Sequence, residues 1–504
     1  MSAISRNIIA NALGGCWIVC LTLIVIPIQV RILGVEAFGI LGLLTILQTV
    51  FALLDLGMNA TLTQFAATDA APGRPATRQL ASAAVAVYLG PAVAAGLALI
   101  SLADWLSINW LQVSSYHTET IASAIKLIAI AVVLRCPGLI FSALIAGMNR
   151  LDVINALKSA TQSLRLLGGL LILAVWRELL PLLCWEVAVA AIESITFFAA
   201  CRHLLPGLMP LPHYRSAVMH GKWHYALGMN AVSLIAVLLT QTDKFAISKM
   251  MPLEFLGYYQ IAYGATAWIS LVQGGFNSAV LPSLAADFAN GRNVQLRARN
   301  AKITQLTIYA VTLPTAAIVF FSTEILELWV GRNSAGAAAA VASLLSAGFL
   351  LNAAVSNCLT LAVASGNAAI PLRVNLIGLA IYLPALVILM KSGGITGAAI
   401  AWVILNTYYL LVLVPMVQQR LLKQGFIDWM RENFLPFVAL AVAFFGCARA
   451  AIYLMPDCPI PMLWGLIIAA ALGYAATGYW LLAPDLREQI AASVYSALHP
   501  TRRG

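Results

Sequence analysis

Polar breaks divide this chain into about fourteen apolar runs, each long enough to cross a bilayer. About 20 apolar residues in a helix span the hydrocarbon layer. The runs cover approximately 8–30, 39–66, 80–103, 120–146, 157–176, 180–201, 224–248, 257–284, 303–328, 338–364, 373–391, 395–418, 433–454 and 461–483. No water reaches a bare peptide group in lipid, so such runs must fold as helices that satisfy their own backbone. Composition agrees. The chain is 62% hydrophobic and 10% charged, with a mean hydropathy of +0.90, where a soluble chain carries roughly 25% charged residues. The expected fold class is all-α, a polytopic membrane protein of about fourteen transmembrane helices.

The charges orient the bundle. With the N-terminus in the cytoplasm, 19 of the 29 Lys and Arg residues fall in inner loops. Five fall in outer loops (Arg31, Arg177, Lys249, Arg332, Lys391), and five lie inside spans (Lys126, Arg135, Arg165, Lys244, Arg449). This excess follows the positive-inside rule and places both termini inside. The formal net charge of +10 then reflects topology and anionic lipid, and nucleic acid is excluded as a partner. The eight cysteines include no CxxC pair and read as small packing residues. LGGC at Leu13–Cys16 resembles a lipoprotein cleavage box, but the apolar run continues to Ile28, so an uncleaved first helix is expected.

An internal repeat adds a second constraint. Residues 45–67 register without a gap on residues 263–285 at an offset of 218. Asp55 falls on Gln273, Gly57 on Gly275, Asn59 on Asn277, Gly39 on Gly257 and Glu36 on Glu254. Each copy reads as a helix with one polar line: Thr45, Gln48, Asp55 and Asn59 in the first, Tyr263, Thr266, Ser270, Gln273 and Asn277 in the second. A polar face on a membrane helix must meet protein or water. The motif around Gly147 and Asn155 recurs around Gly366 and Asn375 at an offset of 219 to 220. Two six-helix lobes facing a shared polar cavity are expected, which is the signature of a transporter. The division is 1–202, a cytoplasmic linker at 203–223, 224–418, and 419–504 for helices 13 and 14 with a tail. Four of the six histidines lie in or beside the linker; His220 and His224 have metal-pair spacing but no acidic or cysteine partner, and read as an interfacial helix start.

The charges inside spans are the candidate functional residues. Arg135 sits mid-span beside Pro137, at a depth that costs about 2.5–3.5 kcal/mol on insertion scales. The next span shows Asn155, Lys158, Ser159, Gln162 and Arg165 on one face. Each has a plain structural alternative. Arg135 and Arg165 can pair with Asp55, Glu186 or Glu193; Lys126 and Lys244 can snorkel; Asp243 can pair with Lys244; Asn59 and Asn277 can bridge helices.

Specific motifs then accumulate in order: Pro27, Leu33-Gly34, Phe38-Gly39, Asp55-Leu56-Gly57, Ala60-Thr61, Thr242-Asp243-Lys244 and Leu256-Gly257-Tyr258-Tyr259. Together they resemble the polysaccharide-unit flippases of the multidrug/oligosaccharidyl-lipid/polysaccharide exporter superfamily. Gln64 stands where those proteins often carry a basic residue. The resemblance implies a bacterial inner-membrane protein whose central cavity opens alternately to each side. The implied substrate is a polyprenyl-pyrophosphate-linked oligosaccharide, moved from the cytoplasmic to the periplasmic leaflet for surface polysaccharide synthesis (O-antigen or exopolysaccharide). Membrane lipid, the polysaccharide polymerase and the chain-length machinery are the implied partners. The substrate-binding candidates are Arg135, Arg165, Lys126, Lys244, Asn59, Gln273 and Asn277. Arg is suited to the pyrophosphate because its fork matches phosphate oxygens. No GxxxxGK[ST] loop is present, so no ATP chemistry, cofactor or metal is expected. Membrane potential can drive export, with a coupling proton or sodium ion as the option and Asp55 or Glu193 as the carboxylate. The rival readings are a cation-coupled drug or metabolite antiporter, which would favour acidic cavity residues, and a peptidoglycan-precursor flippase. A membrane glycosyltransferase would need a larger extramembrane domain than the loops provide.

Overall fold

A computed structural model describes residues 3–68, 75–206, 222–367, 369–455, 459–488 and 491. Most of the predicted linker, His220 included, lies outside the described residues. The described helices are α1 (Ala3–Leu33), α2 (Val35–Ala52), α3 (Met58–Thr68), α4 (Pro75–Asn109), α5 (Thr118–Gly147), α6 (Leu151–Trp176) and α7 (Leu179–Leu204). They continue with α8 (Trp223–Met250), α9 (Leu253–Thr266), α10 (Trp268–Ala289), α11 (Asn293–Val330), α12 (Arg332–Ala364) and α13 (Ala369–Val417). Last come α14 (Phe426–Tyr453) and α15 (Ile460–Leu481). Among the described residues the only β-contact is one isolated bridge between Gln112 and Pro252. The protein is an all-α, multi-pass membrane protein.

Twelve described helices are long and apolar enough to cross a membrane. The sequence predicts about fourteen, and the difference lies at two places. The predicted span 257–284 is divided between α9 and α10 at Ala267. The predicted spans 373–391 and 395–418 run together as α13, through a kink at Gly394 (φ 57°). α11 begins ten residues before its predicted span because a helix need not stop where the bilayer does. Its first turns, carrying Arg297, Arg299 and Lys302, are simply too polar to be counted as apolar sequence.

The chain forms two compact units: Met1–Gly264 with Trp329–Ser334, and Ala265–Leu328 with Ala335–Gly504. In the first, Met58, Leu62, Tyr88, Ile140, Phe141, Leu144 and Phe197 share one core with small residues such as Ala83, Ala84 and Ala226. Glu36, buried at the start of α2, accepts from the Ser114 and Ser115 amides at 2.6 and 2.7 Å and pins the loop between α4 and α5. In the second unit, α14 and α15 dock on α11. The Tyr309 and Tyr474 rings stack 5.7 Å apart, each hydroxyl donating to a carbonyl on the facing helix, Ala475 and Tyr309 respectively.

The stretch 39–66, expected as one helix, is broken. Residues Leu53–Asp55 form a 3₁₀ turn, and Leu56 and Gly57 take left-handed backbone conformations (φ 50° and 79°). Asp55 causes and repairs the break. Its carboxylate accepts from the Gly57 amide (2.8 Å) and the Asn59 amide (3.0 Å), capping α3. Tyr88 donates its hydroxyl to the Phe51 carbonyl (3.2 Å), one of the acceptors left at the end of α2. The polar line read from Thr45 to Asn59 is therefore not one face.

The repeat is physically visible where α2 crosses α9. A β-carbon at Gly39 would lie 2.6 Å from the Leu253 carbonyl oxygen, and one at Gly257 would lie 2.1 Å from that of Val35. Val35 and Leu253 are repeat equivalents at the offset of 218, as are Gly39 and Gly257. Such reciprocal contact is what a two-fold axis between equivalent helices produces. Gly42 meets its own equivalent, Gln260.

Two glycines separate conformational strain from packing. Gly34 (φ 86°) has open space around it, whereas a β-carbon at Gly57 would lie 1.9 Å from the Ala226 carbonyl oxygen on α8. We expect Gly34→Ala to cost about 1 kcal/mol from backbone strain alone. Gly57→Ala should cost over about 2 kcal/mol, because strain and steric overlap add. Thermal unfolding of the purified variants in detergent checks the order; equal midpoints would contradict the close approach.

Candidate functional site

The first unit has an open-sided cavity of about 400 Å³ lined by α1, α2, α5, α6, α7 and α9. Its polar wall includes Gln29, Gln48, Arg135, Gln162, Arg165, Glu186, Gln260 and Tyr263; Val25, Ile26, Leu41 and Leu44 supply apolar surface. Charge gathers on one side. Arg135 Nε lies 3.2 Å from the Glu193 carboxylate, and its NH1 donates to Gln48 Oε1 at 2.8 Å. Arg165 NH2 donates to Glu193 Oε2 at 2.8 Å. Arg165 Nε sits 3.1 Å from Glu186 Oε2 as an ion pair, its N–H aimed elsewhere. Two cations and two anions thus form one network joining α5, α6 and α7, with Arg165 and Glu193 buried and Arg135 and Glu186 partly exposed.

The local sequence explains how α5 presents Arg135. Pro137 has no N–H and loosens the helix there. Ser194 enters the gap: the Gly138 amide donates to its Oγ (3.1 Å), and its hydroxyl donates to the Leu134 carbonyl (2.5 Å). A side chain from α7 thus stands within the helical hydrogen-bond ladder of α5. Gly138 allows it, since a β-carbon there would lie 3.0 Å from Ser194 Oγ. Glu193, the residue before Ser194, is carried to Arg135 by the same contact. Trp185 Nε1 donates to the Arg165 carbonyl (3.2 Å), and Gly168 gives its indole room against α6.

Exposure ranks the four charges. Arg135 keeps 24% of its side chain exposed, against 8% for Glu193, 9% for Arg165 and 12% for Glu186. Arg135 is the group a guest in the cavity meets most readily. The charged residues on the wall are Arg135, Arg165 and Glu186, while Glu193 stands behind the two arginines.

The structure brings together only part of the residue set that the sequence singled out. Arg135 and Arg165 share the cavity wall, with Glu193 between them. Lys126 pairs with Asp104 at 3.1 Å, with both partners well exposed. Lys244 is buried behind the wall: Nζ donates to the Thr240 carbonyl (2.8 Å), pairs with Asp243 (3.3 Å) and lies 4.3 Å from the centre of the Tyr263 ring. Tyr259 donates to Asp243 at 2.6 Å. Asp55 is occupied as the cap of α3, and Asn59 Oδ1 is buried without a partner among the described residues. Gln273 and Asn277 belong to the second unit. There Gln273 donates to Asn352 (3.1 Å), and Asn352 to Asn406 (2.8 Å). Asn277 Oδ1 is buried without a partner among the described residues.

Three residues of the site escaped sequence reading: Gln29 on α1, Ser194 and Gln260. Ser194 follows a recognised candidate but looks like any small polar residue on an apolar helix. Gln260 carried a usable signal, since it is the repeat equivalent of Gly42, and a glycine opposite a glutamine suggests one helix making room for the other.

A multi-pass bundle with paired repeats and a polar, charged cavity defines a membrane transporter. Residues 4–286 match the family described as polysaccharide biosynthesis protein, and the chain belongs to that family. It is 23% identical over 388 residues to the Shigella flexneri protein named "Putative O-antigen transporter", covering 76% of this chain and 90% of that one. The fold is shared with the lipid II flippase MurJ in an inward closed conformation (TM-score 0.69, 13% identity, 95% of this chain and 99% of that one). It is also shared with a MATE multidrug transporter (TM-score 0.60, 15% identity, 84% and 97%). The family match and the O-antigen transporter relative agree with the expected polysaccharide family, and the solved structures share its fold.

Because Glu193 is itself buried and compensates the buried Arg165 together with the partly exposed Arg135, Glu193→Ala should destabilise the protein by about 3 kcal/mol. Glu193→Gln, which keeps the hydrogen-bond acceptor, should lose less. Unfolding midpoints in detergent distinguish the cases; an Ala variant as stable as the wild type would mean that the arginines find other partners.

Proposed function

We propose that this protein is a flippase, not an enzyme, that moves a polyprenyl-pyrophosphate-linked oligosaccharide across the bacterial inner membrane by alternating access. In this reading both termini are cytoplasmic, and the substrate passes from the cytoplasmic to the periplasmic leaflet. The carrying observation is the cavity wall, where Arg135 and Arg165 outnumber Glu186 and Arg135 remains open. A guanidinium already oriented by Glu193 and Gln48 presents further N–H donors to a phosphate oxygen. Gln29, Gln48, Gln162, Gln260 and Tyr263 supply the donors and acceptors that sugar hydroxyls need. The polyprenyl chain can remain in lipid. Family membership and the O-antigen transporter relative support the same substrate class.

Energetics favour the outward direction. Moving negative charge out of a cell that is negative inside releases about 2.3 kcal/mol per charge per 100 mV. The four-charge network is balanced, so an arriving diphosphate leaves it with excess negative charge. A coupling proton or sodium ion fits this direction when it moves inward as the emptied carrier returns, with Glu193 as the carboxylate nearest the two arginines. A cation-coupled antiporter is disfavoured because its wall would be mainly acidic.

Arg135→Gln should abolish surface polysaccharide while the protein still inserts in the membrane, and Arg135→Lys should restore part of it. Cells lacking the protein should accumulate lipid-linked repeat units on the cytoplasmic leaflet, scored by their inaccessibility to periplasmic enzymes. Normal export by the Gln variant would remove Arg135 from the mechanism, and periplasmic accumulation would exclude a flippase.

A further inference from the structure

A second cavity, of about 520 Å³, lies in the second unit, apart from the site described above. Its walls include Val280 and Ser283 of α10, Arg299, Lys302 and Leu306 of α11, and Leu486 just beyond α15. Arg299 and Lys302 are three residues apart and so lie on one face of α11. Each holds a carboxylate from a different element. Arg299 Nε donates to Asp287 Oδ2 and Lys302 Nζ to Asp485 Oδ2, both at 2.7 Å.

The two pairs differ in a way that matters. Asp287 is 7% exposed and engages only the Nε of Arg299, fixing the guanidinium while its terminal amino groups make no hydrogen bond among the described residues. Asp485 is 69% exposed, so its pair with Lys302 is a surface ion pair, weakened by water and salt. The Lys302 ammonium holds the Asp485 carboxyl below the usual carboxylate range; a lipid phosphate carries the same single charge but can accept from Arg299 and Lys302 together. Lys302 is thus exchangeable and Arg299 is pre-set.

We infer that this cavity is a seat for an anionic phospholipid, its phosphate on Arg299 and Lys302 and its acyl chain against Val280, Ile303 and Leu306. The order of residues along α11 carries the inference. The cations Arg297, Arg299 and Lys302 end where the apolar span at 303–328 begins, so the cavity passes from charged to apolar in the direction of the bilayer. A soluble anion has no use for the apolar wall, and a zwitterionic phospholipid, which brings its own cation beside the phosphate, gains less from Arg299 and Lys302. In the orientation proposed above, the seat faces the cytoplasmic leaflet, and its occupant takes Lys302 from Asp485, loosening the segment after α15 from α11.

The test uses purified full-length protein and does not depend on transport, so it can fail without touching the flippase reading. Native mass spectrometry, titrating phosphatidylglycerol, phosphatidylcholine and inorganic phosphate, should show retention of the anionic lipid alone. Lys302→Gln should weaken phosphatidylglycerol binding about fivefold, and Arg299→Gln together with Lys302→Gln more than tenfold. Asp485→Asn should strengthen it, because Lys302 is released; a merely structural salt bridge would not give that sign. Equal binding of phosphatidylcholine, unchanged retention in Lys302→Gln, or weaker retention in Asp485→Asn would overturn the assignment. Displacement of the lipid by inorganic phosphate would reassign the cavity to a soluble anion.

Discussion

A guanidinium within a membrane helix is stable only beside a counter-charge, and the first unit is arranged around meeting that need twice. Arg135 and Arg165 come from consecutive helices and converge on Glu193, with Glu186 and Gln48 completing their shells. Removing one member strands the others in a medium that cannot solvate them. The cost fixes the faces of α5, α6 and α7 and leaves the wall of the cavity little freedom to rearrange. Ser194 extends the same logic to the backbone by bridging Gly138 and Leu134 beside Pro137.

Backbone satisfaction governs the other irregular place. A break within a membrane helix exposes amides and carbonyls that lipid cannot satisfy. Here Asp55 takes two of the amides and Tyr88 reaches one carbonyl, so the turn at Leu53–Gly57 is built in. It lets Gly57 press against Ala226 of α8, while Gly39 and Gly257 press against α9 and α2 farther along. The stretch from α2 to the start of α3 is thus in close backbone contact with repeat-two helices at two points, Gly39 and Gly57, through residues whose lack of a side chain is the point.

In the proposed function, these features divide the labour. The balanced network supplies an oriented but compensated cation, Arg135, so that an anionic head can bind without the empty cavity carrying a large uncompensated charge. The amide and phenol groups nearby suit sugars without committing to one. In the second unit, the chain from Gln273 through Asn352 to Asn406 ties α10, α12 and α13 by amide hydrogen bonds instead of ion pairs. Such bonds tolerate burial at lower cost than charges do.

Much was legible in the sequence. Apolar run length dictated an all-α membrane bundle, because lipid permits little else; the offset of 218 exposed the repeat; and Arg135 and Arg165 stood out because charge is rare at that depth. Several local features were beyond reach. Asp55 reads as a residue on a polar helical face, yet its carboxylate ends that helix, since capping depends on which amides come within 3 Å. Lys244 reads as a substrate-binding candidate with pairing to Asp243 as its plain alternative, and tertiary packing decides for the pair by closing it behind Tyr263. Whether a buried charge faces a guest or a neighbour depends on distances of a few ångströms between helices remote in sequence, and periodicity along one helix carries no information about those. The sequence alone determined the solvent, the helices and the rare charges; only the folded chain decided which charges are spent on one another and which remains open.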